Sequence, residues 1–195
     1  MTPDHWLDTA ARRPLPGGAT MPTRRLLVIH FTSGASATSS IDYWKQLGTG
    51  VCAHFVIDRD GTIYQCRPCD RTAGHAGASQ WKDPKTGTTY FALNACSIGI
   101  ELANAGDDAA LAKKWTDLPL KSARHKNGGP VCQWEQYPAE QLAACESLAK
   151  LLVARYNLDD VVGHEDIAPE RKNDPGPAFP MAKLRKACGF PESPL

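Results

Sequence analysis

Residues 52–66 read CAHFVIDRDGTIYQC. The run 52–58 alternates well enough for a strand, Asp60-Gly61 is a strong hairpin turn signal, and residues 62–66 supply the returning strand. An antiparallel pair is therefore expected at this point. Its neighbours are of a different kind. Upstream, Arg25-Leu26-Leu27-Val28-Ile29-His30 leads a strand over 25–31 that is too apolar on both faces to lie at a wet edge. Ser36 to Gly48 then reads as a helix, with Ser/Thr caps, Ile41, Trp44 and Leu47 on one face, and a glycine stop. Downstream, Ser97 to Leu102 is a strand with Ile98, Ile100 and Leu102 on one face, and Gly99 and Glu101 on the other. Pro138 to Tyr156 carries Leu142, Cys145, Leu148, Leu152 and Tyr156 at helical spacing. Val161-Val162-Gly163 is a short last strand, and Pro180 to Ala187 a closing helix. Strands mixed with helices around one hairpin predict an α/β fold, a central mixed β-sheet flanked by helices.

The remaining segments are less regular. Residues 1–24, rich in Pro and Gly, read as an irregular lead-in that wraps the domain, and 71–95 as a long surface loop of the kind that shapes a cleft. Within 107–135, a short helix at Asp107 to Trp115 and a polar, loop-like stretch at Lys121 to Gly129 read as an insertion in a domain spanning 25–195.

Composition sets the outer limits. At 195 residues, 42% hydrophobic and 22% charged, the chain suits one globular domain with a substantial core. Its 22 basic and 21 acidic residues are dispersed, so no basic stripe points to nucleic acid. Arg24-Arg25 before a four-residue apolar run is too short for a twin-arginine signal, and no segment approaches the ~20 apolar residues of a membrane span. The absence of an export signal and seven cysteines, an odd number, predict reduced thiols and a cytoplasmic site of synthesis. Cys66 and Cys69 form the lone C-x-x-C and lack the second pair that a zinc ribbon needs.

The chemistry concentrates in VVGHEDIAPERKNDPGPAFP (161–180). An imidazole, an ammonium and a carboxylate (His164, Lys172 and Asp174) fall within eleven residues, and such a loop has little packing use for all three. His30 ends the first apolar strand. If the two strands lie side by side, His30, His164 and Asp174 offer two nitrogens and one oxygen, leaving the fourth tetrahedral position of a zinc ion for water. Glu165 and Asp166 compete as ligands in sequence, but the turn Asp174-Pro175-Gly176-Pro177 has the stronger reason to fix a carboxylate. The bland alternatives are a histidine satisfied inside the sheet, a solvated strand glutamate at 101 and an exposed loop lysine at 172.

The runs VIHFT (28–32), AHFVIDRDGTIYQ (53–65), HAG (75–77), SIGIELANAG (97–106) and GHEDIAPERKNDPGPAF (163–179) resemble the zinc-dependent N-acetylmuramoyl-L-alanine amidases. That family includes phage lysozyme-type enzymes, wall-recycling enzymes and the related peptidoglycan recognition proteins. The resemblance covers roughly residues 25–187, in the family's order. It implies one zinc ion on His30, His164 and Asp174, with Glu101 and Lys172 catalytic and His75 in contact with substrate. Ala53 stands where some phage-type members have tyrosine, so Glu101 and Lys172 must suffice. Amide cleavage needs a base for the water and a cation for the oxyanion, tasks that suit these two residues. Gly99, beside Glu101, leaves room for a ligand. His54 is expected to pack or to hold an outer bond, and His5 and His125 have no motif role.

The implied activity is hydrolysis of the bond between N-acetylmuramic acid and L-alanine in peptidoglycan or muropeptides, by a monomer. A phage-type endolysin acting on the wall after release is the first expectation, because Thr32 to Ser36 runs quickly into a helix. A cytoplasmic 1,6-anhydro-muropeptide amidase is the alternative. A non-catalytic recognition module fits less well, since such relatives have lost a zinc ligand. No H-E-x-x-H is present to suggest a peptidase of another class.

Overall fold

A computed structural model describes residues 1–193; positions 194 and 195 of the expected domain lie outside it. The elements in chain order are β1 (Ala11–Arg12), β2 (Leu26–Phe31), α1 (Ala37–Leu47), β3 (Phe55–Ile57), β4 (Ile63–Gln65), β5 (Gln80–Lys82), β6 (Thr89–Phe91) and β7 (Ser97–Leu102). They continue with α2 (Ala109–Trp115), β8 (Lys121–His125), β9 (Gly128–Trp134), α3 (Ala139–Tyr156), β10 (Asp160–Gly163), α4 (His164–Ile167) and α5 (Met181–Ala187). Six strands form the central sheet in the order β1-β4-β3-β7-β2-β10. Its one antiparallel pair is β3–β4, the hairpin around Asp60-Gly61; every other pairing is parallel.

The apolar runs explain why this sheet is covered on both faces. Leu27 and Ile29 of β2, with Ile98, Ile100 and Leu102 of β7, pack with Leu148 and Leu152 of α3 and Leu184 of α5. Leu26 and Val28 point the other way, packing with Val162, Ile167, Trp81 and Leu93. Burying a side chain of this size stabilises by roughly 1.5–3 kcal/mol, so the central strands form the most firmly held part of the molecule. Helix α1 has the ends expected from its sequence. Ser36 caps it through the Ser39 N–H, and Gly48 closes it at φ 60°.

Three segments are more ordered than their sequences indicate. The lead-in contains β1, which pairs with β4, and it buries Leu7 and Met21 in the main core. The expected long loop over 71–95 contains the β5–β6 hairpin and a 3-10 turn at Leu93–Ala95. The polar stretch read as loop at 121–129 opens the β8–β9 hairpin, in which only Trp134 is buried. Polar, exposed strands of this kind show no period-2 hydrophobic signal, because neither face is covered. Among the described residues no helix is long and apolar enough to cross a membrane.

Candidate active site

Ligands of open parallel sheets gather at the carboxyl ends of the strands, and the polar residues converge there. β2 lies between β7 and β10. Register pairs His30 with Glu101 and Ile29 with Gly163, so His164 emerges level with His30 as β10 ends. His30 and Glu101 share the sheet face of Val28 and Gly99, alternating with the apolar residues directed at α3.

Asp174 reaches the same point from a loop. The Glu165 N–H donates to the Asp174 carbonyl at 2.8 Å, the Gly176 N–H donates to Glu165 Oε2 at 3.1 Å, and Tyr137 Oη donates to the Pro175 carbonyl at 2.8 Å. Gly176 has φ +74°, and a Cβ there would meet Trp134 at 2.6 Å, so this turn requires glycine. Glu165 and Asp166 are thereby occupied away from the cluster. Glu165 faces His125 Nε2 at 2.6 Å and Lys126 at 2.8 Å; Asp166 accepts from the Gly163 N–H and from Lys126.

The resulting triangle is tight and buried. His30 Nδ1 lies 2.9 Å from both His164 Nδ1 and Asp174 Oδ2, and the last two are 3.0 Å apart. His164 Nε2 lies 3.1 Å from the Ala76 carbonyl, which can only accept, and 3.4 Å from Arg171 Nη2; with a ring proton directed at the nearer carbonyl, the tautomer that results presents Nδ1 as a lone pair. Its contact with the Asp174 carboxylate then sets lone pair against lone pair. A cation between them resolves that arrangement. Two imidazole nitrogens and a carboxylate oxygen form a donor set suited to zinc, so the residues fit the ion on chemical grounds. Burial pushes His30 down to about 4, which keeps it neutral and able to donate a lone pair.

Around the triangle lies a cleft of about 300 Å³, lined by His75, Glu101, Arg171, Lys172 and Asn173 as well as the three clustered residues. Glu101 Oε2 is shielded from solvent and has no hydrogen-bond partner among the described residues. Burial, then the Asp174 charge, push the Glu101 carboxyl well above its ordinary value, against the opposing pull of Lys172. A carboxylate of raised basicity beside a metal-type donor set is equipped to accept a proton from water.

His75 also borders the cleft, but its ring is buried on Gly99. The room that Gly99 offers is filled by this side chain rather than by a ligand. His54 is buried, accepts from the Gly99 N–H at 3.0 Å and meets the Arg71 carbonyl at 2.8 Å, so its bonds go to the backbone and not to the three clustered residues. Sequence reasoning passed over Arg171, which donates to the carbonyls of Ala76 and Ala78 and walls the cleft beside Lys172. It also gave no role to His125, which braces Glu165. The adjacent motif signals Arg171; nothing in the local sequence signals His125.

The model of the family described as N-acetylmuramoyl-L-alanine amidase matches residues 20–177. The chain belongs to that family. It is 35% identical over 179 residues to the N-acetylmuramoyl-L-alanine amidase AmiD of Escherichia coli K12, covering 85% of this chain and 54% of AmiD. The chain thus spans about half the length of that relative. With the 1,6-anhydro-N-acetylmuramyl-L-alanine amidase AmpD of the same organism it shares 34% identity over 202 residues, 92% of each chain. Among solved structures, E. coli AmiD in complex with the substrate anhydro-N-acetylmuramic acid-L-Ala-D-γ-Glu-L-Lys superposes with a TM-score of 0.65 at 31% identity, over 91% of this chain and 62% of AmiD.

Proposed function

We propose that this chain hydrolyses the amide between the lactyl group of N-acetylmuramic acid and L-alanine in soluble muropeptides, 1,6-anhydro forms included. The observation that carries this reading is the convergence of His30 Nδ1, His164 Nδ1 and Asp174 Oδ2 beside the unpartnered Glu101 Oε2. One zinc ion held by these three would act as a Lewis acid and lower the pKa of a water in the cleft toward about 7. Glu101 takes the proton of the attacking water and passes it to the departing L-alanine nitrogen. Lys172, whose ammonium opposes the upward shift of Glu101, sets positive charge against the oxyanion that develops on the lactyl carbonyl. The glycan bonds are left intact.

A recycling-type substrate replaces the expectation of a phage-type endolysin. AmpD is matched across 92% of both chains, and its name specifies the 1,6-anhydro sugar; the AmiD structure holds an anhydro-muropeptide. The short run from His30 to α1, which favoured the phage type, sets the start of a helix and lines the cleft through Thr32 and Ser33. Incubating the purified protein separately with anhydro-muropeptide and with intact sacculi, and following products by mass spectrometry, tests this. Release of free anhydro-N-acetylmuramic acid and stem peptide at far higher turnover than release from sacculi is expected. Faster turnover on sacculi would return the reading to an endolysin, and no release from either would leave a recognition module.

A further inference from the structure

The proposed chemistry makes no use of His75, yet the structure builds a dedicated seat for it. A Cβ at Gly99 would lie 2.6 Å from His75 Cγ, so only glycine at this point of β7 lets the imidazole lie against the strand. Asn94 Oδ1 accepts from the backbone N–H groups of His75 and Ala76, at 3.1 and 2.7 Å, and fixes the segment that carries the ring. The ring stands edge-on to His30, with 5.1 Å between centroids.

The proton positions follow from the partners. His75 Nε2 faces two oxygens of Ser97, the carbonyl at 3.4 Å and Oγ at 3.3 Å. The Ser97 hydroxyl donates its proton to the Leu93 carbonyl at 2.6 Å, so toward His75 both oxygens present lone pairs. His75 Nε2 must therefore carry the ring proton. His75 Nδ1 is then an acceptor, 2.9 Å from His30 Nε2. That nitrogen in turn must donate, which leaves His30 Nδ1 as a lone pair aimed at His164 and Asp174. A chain of four groups (Leu93 carbonyl, Ser97, His75, His30) thus sets the tautomer of one corner of the triangle.

We infer that His75 is a positioning residue that locks His30 in the Nε2–H tautomer and presents its Nδ1 to the metal. This inference rests on the proposed metal site and replaces the expectation that His75 contacts substrate. A histidine ligand whose outer N–H is held by a neighbour is oriented and made more basic, and loss of such a partner typically costs 10–100-fold in metal affinity or activity.

The test uses the full chain and zinc itself as probe, with affinity measured by competition against a chromophoric chelator. His75→Leu is expected to weaken zinc binding about 10–100-fold and to lower kcat on anhydro-muropeptide at nearly constant KM. His75→Asn, whose Oδ1 can stand in for the Nδ1 acceptor, is expected to recover most of both losses. Zinc affinity within twofold of wild type in His75→Leu, with KM raised instead, would overturn the inference in favour of a substrate contact. Long-range ¹H–¹⁵N spectra of the wild type give a reading that does not depend on any variant folding. The Nε2–H tautomer at both His75 and His30 is expected, and an Nδ1–H tautomer at His75 would overturn it. Wild-type protein that takes up no zinc would sink the metal reading, while these spectra would still judge the tautomer chain by itself.

Discussion

His30 and Glu101 on one side of the cleft, and Lys172 and Asp174 on the other, reach the same cavity by different means. The first pair sits in paired strands of a sheet buried on both faces, where β-ladder register alone sets them opposite each other. The second pair sits in a loop and is brought in by individual tethers: Glu165 to Gly176, Tyr137 to Pro175, and Trp134 against Gly176. A ladder holds position through many bonds at once, whereas a tethered loop depends on each bond singly. Substitutions that change chemistry without moving the ladder should therefore be catalytic in effect. Those that cut tethers should act through metal affinity.

The largest effect is expected at Glu101. Glu101→Gln keeps the shape and removes the base, so kcat should fall by about a hundred- to ten-thousand-fold, with zinc still bound. Removal of a carboxylate whose Oε2 is shielded and unpartnered should also raise the melting temperature. A drop in zinc content or in melting temperature would show that the ladder side, too, depends on its side chains. Lys172→Met comes next, with a loss of about a hundred- to a thousand-fold in kcat and little change in zinc affinity, because the lysine is absent from the donor triangle.

Cutting a tether should read differently. Glu165→Ala leaves the Gly176 N–H without its acceptor and releases His125 and Lys126, so zinc affinity, measured by chelator competition, should fall by roughly tenfold, as for other outer-shell partners. The histidines of the ladder side carry a stability signature of their own. Burial lowers His30 and His54 from 6.5 to about 4, so the unfolded chain binds protons at higher pH than the folded one does. Metal-free protein should hold this contribution above pH 6.5 and lose it as pH falls toward 4, by urea titration. Lys126→Ala, which removes half-exposed ion pairs at the hairpin tip, should change stability and turnover least, by under about 1 kcal/mol and twofold.

The same division explains what could be read in advance. The ladder side was legible because β2, β7 and the last helices carry unbroken hydrophobic periods, and His30 and Glu101 stand out as polar exceptions within them. Asp174 and Lys172 were legible only because a motif surrounds them, since no periodicity marks a loop. The tethers were hidden. His125 lies 40 residues from the Glu165 it braces, on a hairpin whose exposed, polar residues look like loop. β1, two residues long, exists only because β4 offers it an edge. Gly99 reads in sequence as space for a ligand, and the ring of His75, 24 residues earlier, takes that space; nothing local announces it.

Zinc content measured against protein concentration tests the central claim most directly, on wild type, Asp174→Ala and Glu101→Gln purified side by side. About one ion per chain is predicted for wild type and for Glu101→Gln, with almost none for Asp174→Ala. Equal zinc in all three, or none in wild type, would contradict the account.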